Sequence, residues 1–154
     1  HDLYVETPVL NAIESSNQHH MENAIEWIQA VGHKKIGVLG LSFKAGTDDM
    51  RNSPIIHVIE TLYGKWYEIR IYDRSVSLAR LIGKNKSVIE EKLPHLNCML
   101  QDDMDSLLDW AETIIISNND EIFKSVRVRD GQAVIDLVRI KELEKENGYR
   151  GICW

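Results

Sequence analysis

From Lys35 onward the sequence alternates short, almost wholly apolar runs with amphipathic stretches, and this alternation limits the possible folds more than any other feature. Lys35–Gly40 (KIGVLG), Thr113–Ser117 (TIIIS) and Ala133–Val138 (AVIDLV) carry apolar residues at consecutive positions rather than at every second one. Strands of that kind are buried on both faces, as in a parallel sheet covered by helices. Two further strands are expected at Tyr67–Tyr72 (YEIRIY) and Leu96–Leu100. Ser53-Pro54 starts a helix, with Ser as N-cap and Pro at the first position. Ile55, Val58, Ile59 and Leu62 give that helix its inner stripe, and Gly64 ends it. Shorter helices are expected near Ser77–Leu81, near Lys86–Lys92 up to the break at Pro94, over Asp105–Glu112 with Leu107 and Leu108 inward, and over Asp120–Val126. Strands alternating with helices demand right-handed crossovers, so the expected fold is α/β, a Rossmann-like open parallel sheet of about five strands with helices on both faces.

A long helix over about Pro8 to Val31 precedes the sheet, with Pro8 tolerated in its first turn. Its seam runs Leu10, Ile13, Asn17, His20, Ala24, Trp27, Val31, apolar at the ends and polar in the middle. Such a seam packs against another helix, its polar members setting register, or else it is the imperfect stripe of a surface helix. Gly32 is placed to close the helix as its C′ residue. The tail Gly148–Trp154 has no regular pattern, and there is no internal repeat or low-complexity segment.

The length of 154 residues suits one domain. The net charge is −6 and no Lys/Arg stripe is present, so nucleic acid is not an expected partner. No apolar run approaches the about 18 residues of a membrane span, and no signal peptide opens the chain. The first residues, HDLYVE, read as an interior cut, which gives the expectation of an excised cytoplasmic domain. Cys98 and Cys153 form no CxxC pair and lack metal-ligand spacing with the histidines. His19 and His20 are adjacent on a helix and do not face one another, since facing pairs lie three or four apart. No metal site is expected.

In an open parallel sheet, ligands gather beyond the carboxyl ends of the strands. The segment Gly40–Pro54 (GLSFKAGTDDMRNSP) occupies that place after the first strand. It is not GxGxxG, whose close glycines let backbone touch a pyrophosphate. The usual Rossmann mode of holding NAD is therefore not expected here. The segment instead presents Lys44 and Arg51 on a long loop before a helix N-terminus, an arrangement that favours an anionic ligand. Chemistry alone also allows Lys44 to be a solvated loop lysine and Arg51 to pair with Asp48 or Asp49.

The same string, LGLSFKAGTDDMRNSP, resembles the signature of the C-terminal domain of the UDP-glucose and GDP-mannose dehydrogenases. Against the similar form GLAFKPNTDDLRESP it matches Phe43-Lys44, Thr47-Asp48-Asp49, Arg51 and Ser53-Pro54 without a gap. Tyr72-Asp73-Arg74, Asn119–Phe123, Asp136-Leu137-Val138 and Leu10 through Ile28 extend the resemblance, in order, over nearly the whole chain. Ser42, Ala45-Gly46, Arg74 and the closing Gly151-Ile152-Cys153-Trp154 are similar to the GDP-mannose branch rather than the UDP-sugar branch. Asn52 departs from the family's usual Glu, and Arg139–Arg150 matches poorly.

The resemblance implies that residues 1–33 are the end of a central interdomain and dimerisation helix and residues 34–154 a C-terminal nucleotide-sugar-binding domain. Enzymes of this family oxidise a sugar C6 alcohol to a carboxylate with two NAD molecules, through a cysteine thiolate that captures the aldehyde. The resemblance places that cysteine upstream, so no catalytic residue is expected in this chain, and neither Cys98, a small core residue of a strand by pattern, nor Cys153 is assigned that role. By the family's pattern Lys44 contacts the sugar nucleotide and Arg51 reaches NAD, which is bound mainly by an N-terminal domain. Thr47, Asp48 and Asp49 shape the loop. Asp73 stands where Rossmann folds place a ribose-binding acid, but no glycine fingerprint precedes it, and it is assigned a structural role. The expected partners are a nucleotide sugar, the N-terminal NAD-binding domain and, in the full-length enzyme, a second copy. A UDP-sugar substrate and a non-enzymatic nucleotide-binding or oligomerisation module are the alternatives.

Overall fold

A computed structural model describes residues 8–50, 53–77 and 94–151. Five parallel strands form one sheet in the order β2-β1-β3-β4-β5: β1 is Lys35–Leu39, β2 Glu68–Tyr72, β3 Thr113–Ile116, β4 Ala133–Asp136 and β5 Tyr149–Gly151. Among the described residues the helices are α1 (Pro8–Val31), α2 (Pro54–Gly64), α3 (Pro94–Met99) and α4 (Met104–Trp110), besides the helical residues 74–77, with 3-10 turns at Glu121–Ser125 and Lys141–Leu143.

The consecutive apolar residues divide between two cores. Ile36 and Val38 of β1, Ile115 of β3 and Ile135 of β4 face α1 and α2, where they meet Ile25, Ile28, Ile55, Val58, Ile59 and Leu62. Leu39, Ile114, Ile116 and Val134 face the other way, onto Leu107 and Ala111 at α4 and onto Phe123 and Leu143 of the 3-10 turns. The period of two along a strand sends neighbours to opposite faces, so a sheet with two cores needs an apolar residue at nearly every position. In register, Val38 stands beside Ile71 on one side and Ile115 on the other.

The structure corrects several expectations. Leu96–Leu100 is not a strand. Residues 94–99 form α3, and only Leu100 touches the sheet, as a single parallel bridge to Ile71. Leu96, Met99 and Leu100 are the buried residues of that stretch, spaced i, i+3, i+4 as on a helix face, and a short apolar run cannot be told apart by period alone. Pro94 opens this helix instead of merely ending another. Cys98 consequently lies on a helix and is exposed, not a core residue of a strand.

The fifth strand comes from the tail expected to be irregular. Tyr149–Gly151 pairs with β4 from Val134↔Tyr149 to Asp136↔Gly151. Three residues are too few to show alternation, and a tertiary partner fixes them. The buried Asp136 carboxylate accepts from the N–H groups of Val138 (2.8 Å), Arg139 (2.9 Å) and Ile140 (2.6 Å) and from the Tyr149 hydroxyl (3.0 Å). Arg150 lies with its guanidinium 5.1 Å from the Trp27 ring centre, joining this edge to α1. The expected helix over Asp120–Val126 is a 3-10 turn, and β4 stops at Asp136, two residues before the expected end.

α1 turns at Gly32, whose φ of +81° suits a glycine at C′. Among its described side chains Ala24, Ile25 and Ile28 are buried, with Met21 and Trp27 packed against them, so the packed stripe keeps Ala24 and Trp27 of the expected seam and extends to Ile25 and Ile28, while Ile13 stays exposed. Asn17 and His20 instead face a cleft. The expected helix near Lys86–Lys92 lies outside the described residues, as does most of Ser77–Leu81; residues 74–77 are helical.

Candidate functional site

The sheet order places the reversal of winding between β1 and β3, because the chain leaves β1 toward β2 on one side and reaches β3 on the other. Ligands of open α/β sheets bind outside the carboxyl ends at this point. Two segments meet there, the loop after β1 and the residues Ser117 and Asn118 after β3.

The root of the loop is held from both sides. Gly40 has φ +92°, and its N–H donates to Tyr72 O at 2.8 Å. A Cβ on Gly40 would sit 2.6 Å from Asn118 Cγ, so the glycine also makes room for that amide. On the β2 side, Asp73 Oδ2 accepts from Leu41 N, Ser42 N (both 2.8 Å) and Ser42 Oγ (2.9 Å). Its other oxygen accepts from Ser75 N (3.0 Å) and Val76 N (3.1 Å), at the start of the helical residues 74–77. One carboxylate, 4% exposed, therefore ties the ligand loop to the next helix. Asp73 is structural, and here its role is to fix the root of the site. Beside it, burial pushes the Tyr72 phenol up, with the Arg74 guanidinium opposing.

On the β3 side, Ser117 Oγ donates to Gly40 O at 2.6 Å, and Asn118 Nδ2 donates to Ser42 O (3.3 Å) and Ser42 Oγ (3.1 Å). A hydroxyl has one proton and two lone pairs, so Ser42 Oγ can give its proton to Asp73 while accepting from Asn118. Asn118 is 4% exposed, and its Oδ1 has no partner among the described residues. Neither Ser117 nor Asn118 was singled out by sequence reasoning. The signal available was positional: Ser-Asn immediately after a fully buried strand, at the reversal point.

Beyond its root the loop folds on itself. Phe43 N donates to Asp49 O at 2.9 Å, and Lys44 O accepts from Thr47 N (3.2 Å) and Thr47 Oγ1 (2.7 Å). Thr47 thus shapes the turn that carries Lys44, whose side chain is exposed. Arg51 lies outside the described residues.

Next to the loop opens a cleft of about 420 Å³, within the usual size range of small-molecule sites. α1 supplies Asn17, His20, Met21 and Ala24; α2 supplies Pro54, Ile55 and Val58, with Ser53 before it. Phe43, Ser117, Leu137 and Val138 complete the lining. Leu137 and Val138, expected as the end of a strand, therefore line the cleft instead. Among the described residues no group of three or more His, Cys, Asp and Glu could hold a metal ion, and no helix is long and apolar enough to cross a membrane.

The parallel order, the reversal-point cleft and the long cation-bearing loop in place of a glycine fingerprint define a doubly wound α/β domain of the nucleotide-binding class. Residues 37–142 match the UDP-glucose/GDP-mannose dehydrogenase family, UDP binding domain. The chain belongs to that family. It is 40% identical over 154 residues to GDP-mannose 6-dehydrogenase of Pseudomonas aeruginosa, covering 99% of this chain and 35% of that protein. It is 28% identical over 141 residues to UDP-glucose 6-dehydrogenase of Rickettsia felis, covering 88% of this chain and 29% of that protein. In structure it resembles a GDP-mannose dehydrogenase from Pseudomonas aeruginosa solved as a ternary complex, with a TM-score of 0.90 and 39% identity over 99% of this chain and 36% of that one. The chain thus spans about a third of the length of the curated relatives it matches.

Proposed function

We propose that this chain is the nucleotide-sugar half-site of an NAD-dependent sugar-nucleotide 6-dehydrogenase that oxidises GDP-mannose to GDP-mannuronate for polysaccharide synthesis in the cytoplasm. The observation that carries the reading is the loop Gly40–Asp49, built at the reversal point and matched by a chain-wide 40% identity to a GDP-mannose 6-dehydrogenase. Lys44, exposed on a loop whose root is fixed by Asp73 and Asn118, offers its ammonium to the anionic sugar nucleotide. Arg51 reaches NAD, whose main site and the nucleophilic cysteine belong to the upstream domain. Within residues 1–33, α1 (Pro8–Val31) is the end of the helix that joins the two domains and pairs two copies, and residues 1–7 lie outside the described residues. Val9 and Ile13, 74% and 53% exposed on α1, support that reading.

The test is a titration of the isotope-labelled chain with GDP-mannose, GDP and UDP-glucose, followed by amide chemical shifts. GDP-mannose is expected to move the amides of Gly40–Asp49 at millimolar concentration or below. A preference for UDP-glucose would transfer the domain to the UDP-sugar branch, and no response to any nucleotide would leave an assembly module. The chain alone is expected to show no dehydrogenase activity, and turnover of GDP-mannose with NAD would refute the half-site. Joined to its upstream half, Lys44→Ala should chiefly raise KM for the sugar nucleotide and Arg51→Ala KM for NAD; the reverse assignment would remove both roles.

A further inference from the structure

Ser53 holds the N-cap position of α2, with φ −69° and ψ 119°, but its side chain makes no capping hydrogen bond. An N-cap serine ordinarily turns its oxygen onto an N–H of the first turn. Here the residue is 7% exposed, its hydroxyl has no hydrogen-bond partner among the described residues, and it lines the cleft. The helix start faces the same space. Pro54 has no N–H to offer, the Ile56 N–H turns back onto Ser53 O at 3.1 Å, and Ile55 lines the cleft beside Ser53. The first N–H groups of a helix lack intrahelical acceptors and carry the positive end of its dipole. Around them the wall is apolar, with Phe43, Val58 and Leu137. The uncapped Ser53 hydroxyl and the start of α2 thus both border the cleft, the arrangement in which a helix N-terminus receives an anionic oxygen.

We propose that Ser53 Oγ and the first turn of α2 form an anion subsite that receives a phosphoryl oxygen of a nucleoside diphosphate. The cleft volume of about 420 Å³ is far larger than a lone carboxylate or phosphate needs, so the anion arrives attached to a larger body that the apolar wall covers. The subsite rests on the nucleotide reading of the cleft and adds to it a contact distinct from Lys44.

The labelled chain is titrated separately with GDP, guanosine and inorganic pyrophosphate. GDP and pyrophosphate shift the Ser53 and Ile55 amides, and guanosine leaves them in place. Ser53→Ala weakens GDP by about tenfold or more, the value of one hydrogen bond to a charged group. It leaves the urea midpoint unchanged because no capping bond is lost. Ser53→Asp keeps an N-cap residue and abolishes GDP binding by charge repulsion. Parental GDP affinity in Ser53→Ala, or guanosine shifting Ser53 and Ile55 as GDP does, overturns the subsite. If GDP moves Gly40–Asp49 but not Ser53 and Ile55, the subsite falls and the nucleotide reading stands. If pyrophosphate moves Ser53 and Ile55 while neither GDP nor UDP-glucose binds, the anion subsite stands and the nucleotide reading falls.

Discussion

The substitution Asp73→Asn changes one atom and tests how the site is held. The carboxylate accepts five hydrogen bonds, three on Oδ2 from Leu41 and Ser42 and two on Oδ1 from Ser75 and Val76. An amide has one accepting edge and one donating edge, so the substituted side chain must point N–H groups at N–H groups on one side. The cheaper orientation turns the amide nitrogen to Ser75 and Val76 and loses two bonds. The other turns it to the loop and loses at least the two backbone bonds to Leu41 and Ser42. Each buried donor left without an acceptor costs about 1–3 kcal/mol, and the surviving bonds lose their charge assistance. The sum is about 3–5 kcal/mol, a large part of the about 5–15 kcal/mol that holds a domain together. Urea unfolding followed by tryptophan fluorescence reads the loss as a lower midpoint with the slope unchanged. Amide exchange at Leu41, Ser42, Ser75 and Val76 shows which side opened. A loss below about 1 kcal/mol, smaller than one unsatisfied donor, would refute the claim that this carboxylate fixes the loop.

Gly40→Ala combines a left-handed φ of +92° with a Cβ placed 2.6 Å from Asn118 Cγ. It is expected to cost about 2–4 kcal/mol and to lower nucleotide affinity in the fraction that folds, by urea titration and calorimetry. Tyr149→Phe removes the 3.0 Å hydroxyl bond to Asp136, whose other three partners remain. Its expected loss of about 0.5–1.5 kcal/mol, read by urea unfolding, ties the short β5 strand to that carboxylate. Glu112 accepts from the N–H groups of Lys35 and Lys34, both 3.1 Å, and these bonds hold its carboxyl below the usual glutamate range. A depressed folded pKa contributes stability above the unfolded pKa, lost as pH falls through the folded one. Glu112→Gln should therefore flatten the fall in melting temperature between about pH 5 and pH 3, and identical acid slopes for parent and variant would refute the contribution.

How much of this was legible follows from where the determining partner lies. β1, β3 and β4 could be read because burial on both faces needs an apolar residue at each step, a requirement written in consecutive residues such as Ile114, Ile115 and Ile116. The loop could be read because Gly40–Pro54 carries its own signature of types and spacing. α3 could not, because Leu96, Met99 and Leu100 satisfy a helix face and a short buried strand equally well until Ile71 takes Leu100 as a bridge. β5 could not either, since Tyr149–Gly151 becomes a strand only when β4 offers its edge and Asp136 binds the Tyr149 hydroxyl. The site divides the same way. Lys44 stands out in one segment, whereas the residues that position it come from the ends of two other strands, Asp73 31 and 32 residues from the loop N–H groups it binds and Asn118 76 residues from Ser42. Ser53 is the subtler case. Its type and place before Pro54 predict a helix cap, and the backbone does begin the helix there, yet the hydroxyl is released to the cleft. A residue that satisfies a local rule in position but not in bonding shows where local and tertiary demands part, and such partings gather at functional sites.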